Sequence, residues 1–386
     1  MSFSALTGHA ILVALGEVIL KTSRALRLLR LVMLWAWLAV ASAGLALAQK
    51  YTITDLGVLK GDNESSGFWI NNSGQVVGCS DTQTSQGYPC TGMVAGQHAF
   101  LWNKGSGLRD LGTLQGGNVS GAIGINDFGT VVGYSNIQGQ PSTNFVAFQW
   151  TSNAGMVNLG TLSGGSSSAA FEVNSSGVVA GDSFNSSGIV DATSWTNNKI
   201  KNLGRLPNAR FTAGLDINDN NEIVGESVFS YSPTFTSHAF SWTSGTGMQD
   251  LGTLAGGVTS IANAINESGV IVGESDGTTT GGHWHAVMWD AAKKIRNLGT
   301  IAGGNYSIAF AINDSSVVVG YGNLSNNAAH AMIWTSSGGM KDLNSLIPAN
   351  SGWVLINANA INNLGQITGY GLIKGHNHAF LLTPVN

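Results

Sequence analysis

Histidine, tryptophan and paired cysteine are the side chains here that could do chemistry. There are eight, eleven and two of them in a chain of 386 residues of which only 10% are charged. Five of the histidines, His98, His238, His285, His330 and His378, open the same short motif, His-Ala-Phe-x-Trp or a close variant. Six tryptophans, Trp102, Trp150, Trp195, Trp242, Trp289 and Trp334, close it. Two His-x-His pairs, His283/His285 and His376/His378, put both imidazoles on one side of an extended chain, a geometry that can hold a metal. No third ligand recurs at a fixed spacing, so no metal site and no cofactor are expected. Asp216–Glu222 reads like half of a calcium loop but lacks the closing glutamate. No serine–histidine–aspartate order, phosphate loop or recurring carboxylate pair can be defended, so no catalytic residues are assigned. Cys79 and Cys90 are close enough in sequence to close a short loop as a disulfide.

These residues sit inside a cassette that recurs seven times between Tyr51 and Asn386. Its most regular piece, Ile-Asn-x-x-Gly-x-Val-Val-Gly, places its Asn at Asn71, Asn126, Asn174, Asn218, Asn266, Asn313 and Asn362, in steps of 55, 48, 44, 48, 47 and 49 residues. Repeats of this length are units that bury their apolar faces only against neighbours. Each holds four short apolar runs bounded by Gly, Asn, Ser or Thr: Asp-Leu-Gly-Thr-Leu, a small-residue run ending in Ile-Asn, Val-Val-Gly, and His-Ala-Phe-x-Trp. Short runs of this kind are strands, and Asn-x-x-Gly between two of them is a tight turn. Gly-Gly after the Asp-Leu-Gly strand, as at Gly116-Gly117 and Gly303-Gly304, marks the crossing into the next unit.

Seven units of four antiparallel strands predict an all-β, seven-bladed β-propeller as one domain over residues 49–386. A solenoid is the rival, with end caps in place of a closed ring. Closure is favoured by the chain's own cut. It opens on a lone Asp-Leu-Gly strand, Tyr51–Leu59, and stops after a lone His-Ala-Phe strand, His378–Leu382, which together complete one blade. From inside to outside a blade would run Ile-Asn, Val-Val-Gly, His-Ala-Phe, Asp-Leu-Gly. In that arrangement the repeated histidines form a ring too wide to share a metal, and the tryptophans are wedges between blades, with sugar-stacking platforms as the alternative.

Residues 1–48 stand apart. Lys21, Arg24, Arg27 and Arg30 precede an uncharged apolar run from Leu31 to Leu47, and Ala46-Leu47-Ala48 is a small-x-small site. The pattern is a signal peptide cleaved between Ala48 and Gln49, the alternative being a retained membrane anchor. Without residues 1–48 the chain carries 13 Lys and Arg against 20 Asp and Glu, which offers nucleic acid no basic face.

The recurring His-Ala-Phe-x-Trp, Asp-Leu-Gly-Thr-Leu-x-Gly-Gly and Ile-Asn-x-x-Gly-x-Val-Val-Gly blocks resemble those of the HAF-repeat family of bacterial extracellular proteins. The resemblance covers residues 51–386 and is carried most directly by His98-Ala99-Phe100, His238-Ala239-Phe240 and His378-Ala379-Phe380. It implies export and a repeat fold, and no activity. Val146 and Asp191 depart from it at the histidine, Leu382 at the tryptophan, and Asn221 and Ser316 at the turn glycine.

The functional expectation is a secreted or periplasmic, non-enzymatic binding or scaffold module. It would be a monomer, free of the membrane once the signal is removed, with a protein or glycan ligand. A lectin or carbohydrate-active enzyme is the alternative. The loops after the Val-Val-Gly strands share a rim with the Gly-Gly crossings and vary most between repeats. Their aromatic and imidazole residues, Tyr88, Tyr231, Phe235, His283, Trp284 and His376, are the candidate ligand contacts. For each taken alone, a simple covering role stays open.

Overall fold

The computed structural model describes residues 50–82, 89–90, 95–138 and 144–385. The expected cleavage point at Ala48 and Gln49, and Tyr88, lie outside them. Twenty-eight strands and two short 3-10 turns make up the described secondary structure. The strands form seven antiparallel sets of four, so the fold is a seven-bladed β-propeller. The second blade shows the plan. Its strands Ser120–Ile125, Val131–Asn136, Phe145–Thr151 and Gly155–Gly160 pair in that order, the first innermost. Blades three and four also meet through one parallel pair, Val190 with Phe211.

The seventh blade is composite. Trp353–Ile361, Ile367–Ile373 and His376–Val385 come from the C-terminus, and Lys50–Gly57 adds the outer strand. The ring therefore closes through strand exchange between the two ends of the chain, which removes the free edges an open array would expose.

Apolar residues of the second and third strands fill the spaces between blades. Trp102, Trp150, Trp195, Trp289 and Trp334 are all at most 7% exposed, which places them in inter-blade core and withdraws them as sugar platforms. An outer-strand cation of one blade caps the tryptophan of the next in three places, Arg109 over Trp150, Lys201 over Trp242 and Arg296 over Trp334.

Polar pins hold the blades in register. The histidines bond within their own blade, to the aspartate of the Asp-Leu-Gly strand. His98, His238, His330 and His378 pair through Nδ1 with Asp110, Asp250, Asp342 and Asp55, and His285 pairs with Asn297. The same carboxylate takes the backbone N–H two residues on, as Asp110 does from Gly112 at 2.7 Å. Where Asp191 replaces the histidine, the polarity is inverted. Its carboxylate takes Asn202 at 2.8 Å and Arg205 at 3.1 Å instead.

Between blades, a buried serine of each of five inner strands accepts from the alanine N–H of the preceding His-Ala-Phe strand and donates to its Asp-Leu-Gly carbonyl. Ser120 does so with Ala99 at 2.9 Å and Gly112 at 2.6 Å. Ser65, Ser168, Ser260 and Ser307 repeat the pattern. At the crossings the second glycine has no room for a side chain: a Cβ on Gly165 would lie 1.9 Å from the Phe184 carbonyl oxygen.

Candidate functional site: two ends of the axis

The propeller presents two rims. One carries the Gly-Gly crossings and the loops after the Val-Val-Gly strands; the other carries the Asn-x-x-Gly turns.

On the loop rim, four aromatic side chains stand in a row across blades four to six. Ring centroids are 6.2 Å apart for Tyr231–Phe235, 6.3 Å for Phe235–Trp284 and 6.4 Å for Trp284–Tyr306. The row continues inward through Tyr321, 5.6 Å from Tyr306, to Phe310 at the axis, 5.9 Å further. Tyr231 is 62% exposed and anchors the outer end. His283 Nε2 lies 3.3 Å from Asn305 Nδ2, beside the Trp284–Tyr306 pair. The structure thus gathers Tyr231, Phe235, His283 and Trp284. His376 opens the last strand of blade seven, two blades from Trp284, with an exposed side chain. Tyr88 lies outside the described residues.

At the other rim, the repeat asparagines form a ring that the sequence displayed without explaining. The Nδ2 of each donates to the backbone carbonyl of the next: Asn71 to Asn126, Asn126 to Asn174, Asn174 to Asn218, Asn218 to Asn266, Asn266 to Asn313, Asn313 to Asn362 and Asn362 back to Asn71. Each Oδ1 bonds its own turn; that of Asn218 accepts from Asn220 and Glu222. The stretch Asp216–Glu222 is this ordinary turn, and the calcium-loop likeness ends there.

The ring frames a cavity of about 310 Å³. The next residue of each turn faces its mouth: Asp127, Asp219, Glu267 and Asp314 carry carboxylates, and Asn72, Ser175 and Asn363 are neutral. Glu172 and Asp216, two residues before the ring asparagine in blades three and four, line it from below. Both are buried, and burial raises both carboxyls well above their usual range, with the Asp216 charge adding to the effect on Glu172. Asp216 is held by the N–H groups of Ile265 and Ile217, at 2.8 and 2.7 Å. Glu172 has one partner, the Val173 N–H on Oε1 at 3.0 Å, and Oε2 has none. The space it fills exists because blade two has Gly124 at the matching position. A Cβ there would stand 2.5 Å from Oε2.

Deeper in, every inner strand carries a one-residue bulge three residues before the ring asparagine. The bulged residues narrow the axis to a collar, apolar at Phe68, Ile123, Phe171, Leu215 and Phe310 and amide at Asn263 and Asn359, around a second cavity of about 210 Å³. On the adjoining strands, Asp182, Glu226 and Glu274 follow the Val-Val-Gly glycine in three consecutive blades. Burial raises Asp182 and Glu226 to about 7 and Glu274 to about 8. Neighbouring charge adds to this: Glu226 repels both Asp182 and Glu274.

A sequence family described as "Protein of unknown function (DUF3466)" matches residues 162–380, more than half of the chain. The chain belongs to the DUF3466 family. No curated protein matches this DUF3466 chain at a significant level. Among solved structures it is similar to the extracellular domain of a protein described as a one-component system from B. thetaiotaomicron. That match has 9% identity and a TM-score of 0.50, over 88% of this chain and 40% of the other. It is also similar to a puromycin hydrolase mutant complexed with PGG, at 13% identity and a TM-score of 0.49, over 80% and 50%. A third is TolB from Acinetobacter baumannii, at 12% and 0.41, over 81% and 80%. The DUF3466 chain thus spans half or less of the first two proteins, and at such identities the likeness is one of fold alone. The Cys79–Cys90 disulfide is formed, with Cα atoms 6.2 Å apart. Among the described residues no helix is long and apolar enough to cross a membrane.

Proposed function

We propose that the protein is an exported binding module that recognises a glycan or a protein partner through the loop rim. The observation that carries this reading is the Tyr231–Phe235–Trp284–Tyr306 row, with Tyr231 exposed at its outer end and the His283–Asn305 pair alongside. Aromatic faces take the apolar side of a sugar ring or an apolar side chain, and an imidazole beside an amide takes its hydroxyls or backbone. The row runs over three blades, a span suited to an extended ligand. Tyr88 and His376 belong to the same proposed rim surface on other blades. A disulfide of the kind kept in oxidising compartments supports a secreted or periplasmic location. A signal peptide cleaved between Ala48 and Gln49 and a monomeric mature chain belong to the same proposal. The reading requires no cofactor.

The test is a glycan and protein-partner binding screen on the mature chain, repeated with Trp284→Ala and Tyr231→Ala. Each variant should weaken binding about tenfold, the equivalent of about 1.4 kcal/mol. Ligands that bind all three proteins equally would refute the loop-rim assignment, and turnover of a polysaccharide would make the module an enzyme.

A further inference from the structure

We propose that the vestibule inside the asparagine ring binds a multiply charged cation that brings its own hydrogen-bond donors, the chemistry shared by a hydrated divalent metal ion and a polyamine. The site lies on the rim opposite the aromatic row and does not depend on the function proposed for that row.

Charge is the first reason. The cavity of about 310 Å³ is lined by carboxylates and amides together with Trp69, Ser175 and a layer of Ile and Val, and among the described residues no Lys, Arg or His lines it. Its mouth carries Asp127, Asp219, Glu267 and Asp314. Converging fields of one sign in a low-dielectric concavity concentrate counter-ions. Glu267 registers this field: after burial, the charges of Asp219 and Asp314 both raise its carboxyl.

The second reason is independent of the acidic mouth. Glu172 is 5% exposed, lines the cavity, and leaves Oε2 without a hydrogen-bond partner. A buried polar atom in a native protein calls for a partner. Among the described residues no protein group fills that role, and the Gly124 that makes room for this carboxyl is the one glycine at its position around the ring.

The geometry also selects among cations. No three carboxylate, imidazole or thiol groups among the described residues converge closely enough to ligate a bare metal ion. The asparagine side chains are committed to the ring itself, so they frame the site and do not ligate. A ligand must therefore reach several separated carboxylates at once through water molecules or ammonium groups.

Isothermal titration with magnesium chloride, calcium chloride and spermidine, at constant ionic strength and against sodium chloride, tests this. Saturable binding of at least one multivalent arm is expected, and the arm that responds identifies the class. Glu172→Gln and, separately, Asp127→Asn with Glu267→Gln should each weaken that binding about tenfold or more. Trp284→Ala should leave it unchanged. Glu172→Gln keeps the shape and takes away the carboxyl that a bound cation would draw into its ionised form, and the exposed rim pair, whose amide oxygens still accept from the Asn72 and Asp219 N–H groups, gives a second variant. Absence of saturable binding in all three arms, or affinity unchanged in both acidic-site variants, would overturn the proposal.

Discussion

The Nδ2 of Asn362 donates to the carbonyl oxygen of Asn71 at 2.9 Å, across 291 residues of sequence. It is the same bond that each of the other six ring asparagines makes to its neighbour 44 to 55 residues on, so the last blade meets the first as any blade meets the next. Replacing Asn362 with Asp keeps the acceptor that holds Leu364 and Gln366, removes the donor, and sets a carboxylate against the Asn71 carbonyl and Gln366 Oε1. The loss should be at least about 1–3 kcal/mol, because a buried carbonyl is left unpaired and now faces a carboxylate. A urea midpoint equal to that of the parent would show that the ring bond is dispensable.

Removal of residues 51–59 should expose the His376–Val385 strand along one side. Loss of cooperative melting or concentration-dependent association is the expected outcome. A truncated protein that melts like the parent would rule out closure by strand exchange.

Opening the Cys79–Cys90 bridge should lower stability by about 3 kcal/mol on the chain-entropy account for a loop of this length. Intact mass of exported protein should show the two missing hydrogens, and a reductant should lower the melting temperature. Free thiols in that sample would contradict the bridge.

Stability should fall as pH rises from about 5 to 8. Asp182 and Glu226 are raised to about 7 and Glu274 to about 8 in the folded chain, so over this window the unfolded chain has given up protons that the folded one keeps. The contribution is full below the ordinary carboxylate range and is lost as pH climbs through the folded values. His285, lowered by burial, works in the opposite sense as pH drops through its ordinary value of 6.5. Glu274→Gln should flatten the melting temperature against pH between 5 and 8; an unaltered slope would show that Glu274 does not keep its proton.

Gly165→Ala should destabilise by about 2–4 kcal/mol, since its Cβ would sit 1.9 Å from the Phe184 carbonyl oxygen and backbone must move. Gly105→Ala, whose nearest neighbour would be 3.6 Å away, should stay within about 0.5 kcal/mol. Equal melting temperatures for the two would show that the crossing tolerates separation.

The fold was legible because seven near-identical cassettes state the blade plan, and the cut between Tyr51 and Asn386 states how the ring closes. The axis was not. Its residues occupy a repeat position that reads Trp69, Gly124, Glu172, Asp216, Ala264, Ala311 and Ala360, which has no consensus until the ring sets these residues around one cavity. The collar was hidden for another reason: a one-residue bulge breaks the alternation by which inward positions are read. Ser135 and Ser183 show the opposite case. They sit two residues after the Val-Val-Gly glycine with nothing in sequence to mark them, yet each accepts the N–H of a leucine two residues past an outer strand, Leu114 and Leu162, at 2.9 Å. The aromatic row was partly visible, since Tyr231, Phe235 and Trp284 are loop residues outside the cassette, whereas Tyr306 directly follows a Gly-Gly-Asn crossing that gives it no separate signal.

The composite seventh blade also fixes how the molecule would answer a mechanical load. Thr52 bonds Thr383 and Asp55 bonds His378, so the N-terminal strand lies antiparallel to the last one and both chain ends leave from the same end of that pair. A pull on the two termini acts across the hydrogen bonds one at a time, in an unzipping geometry, because antiparallel ladder bonds run perpendicular to the strands. The seam that completes the ring is therefore the first to part under tension, and the six blades built from continuous chain are loaded only after it has opened.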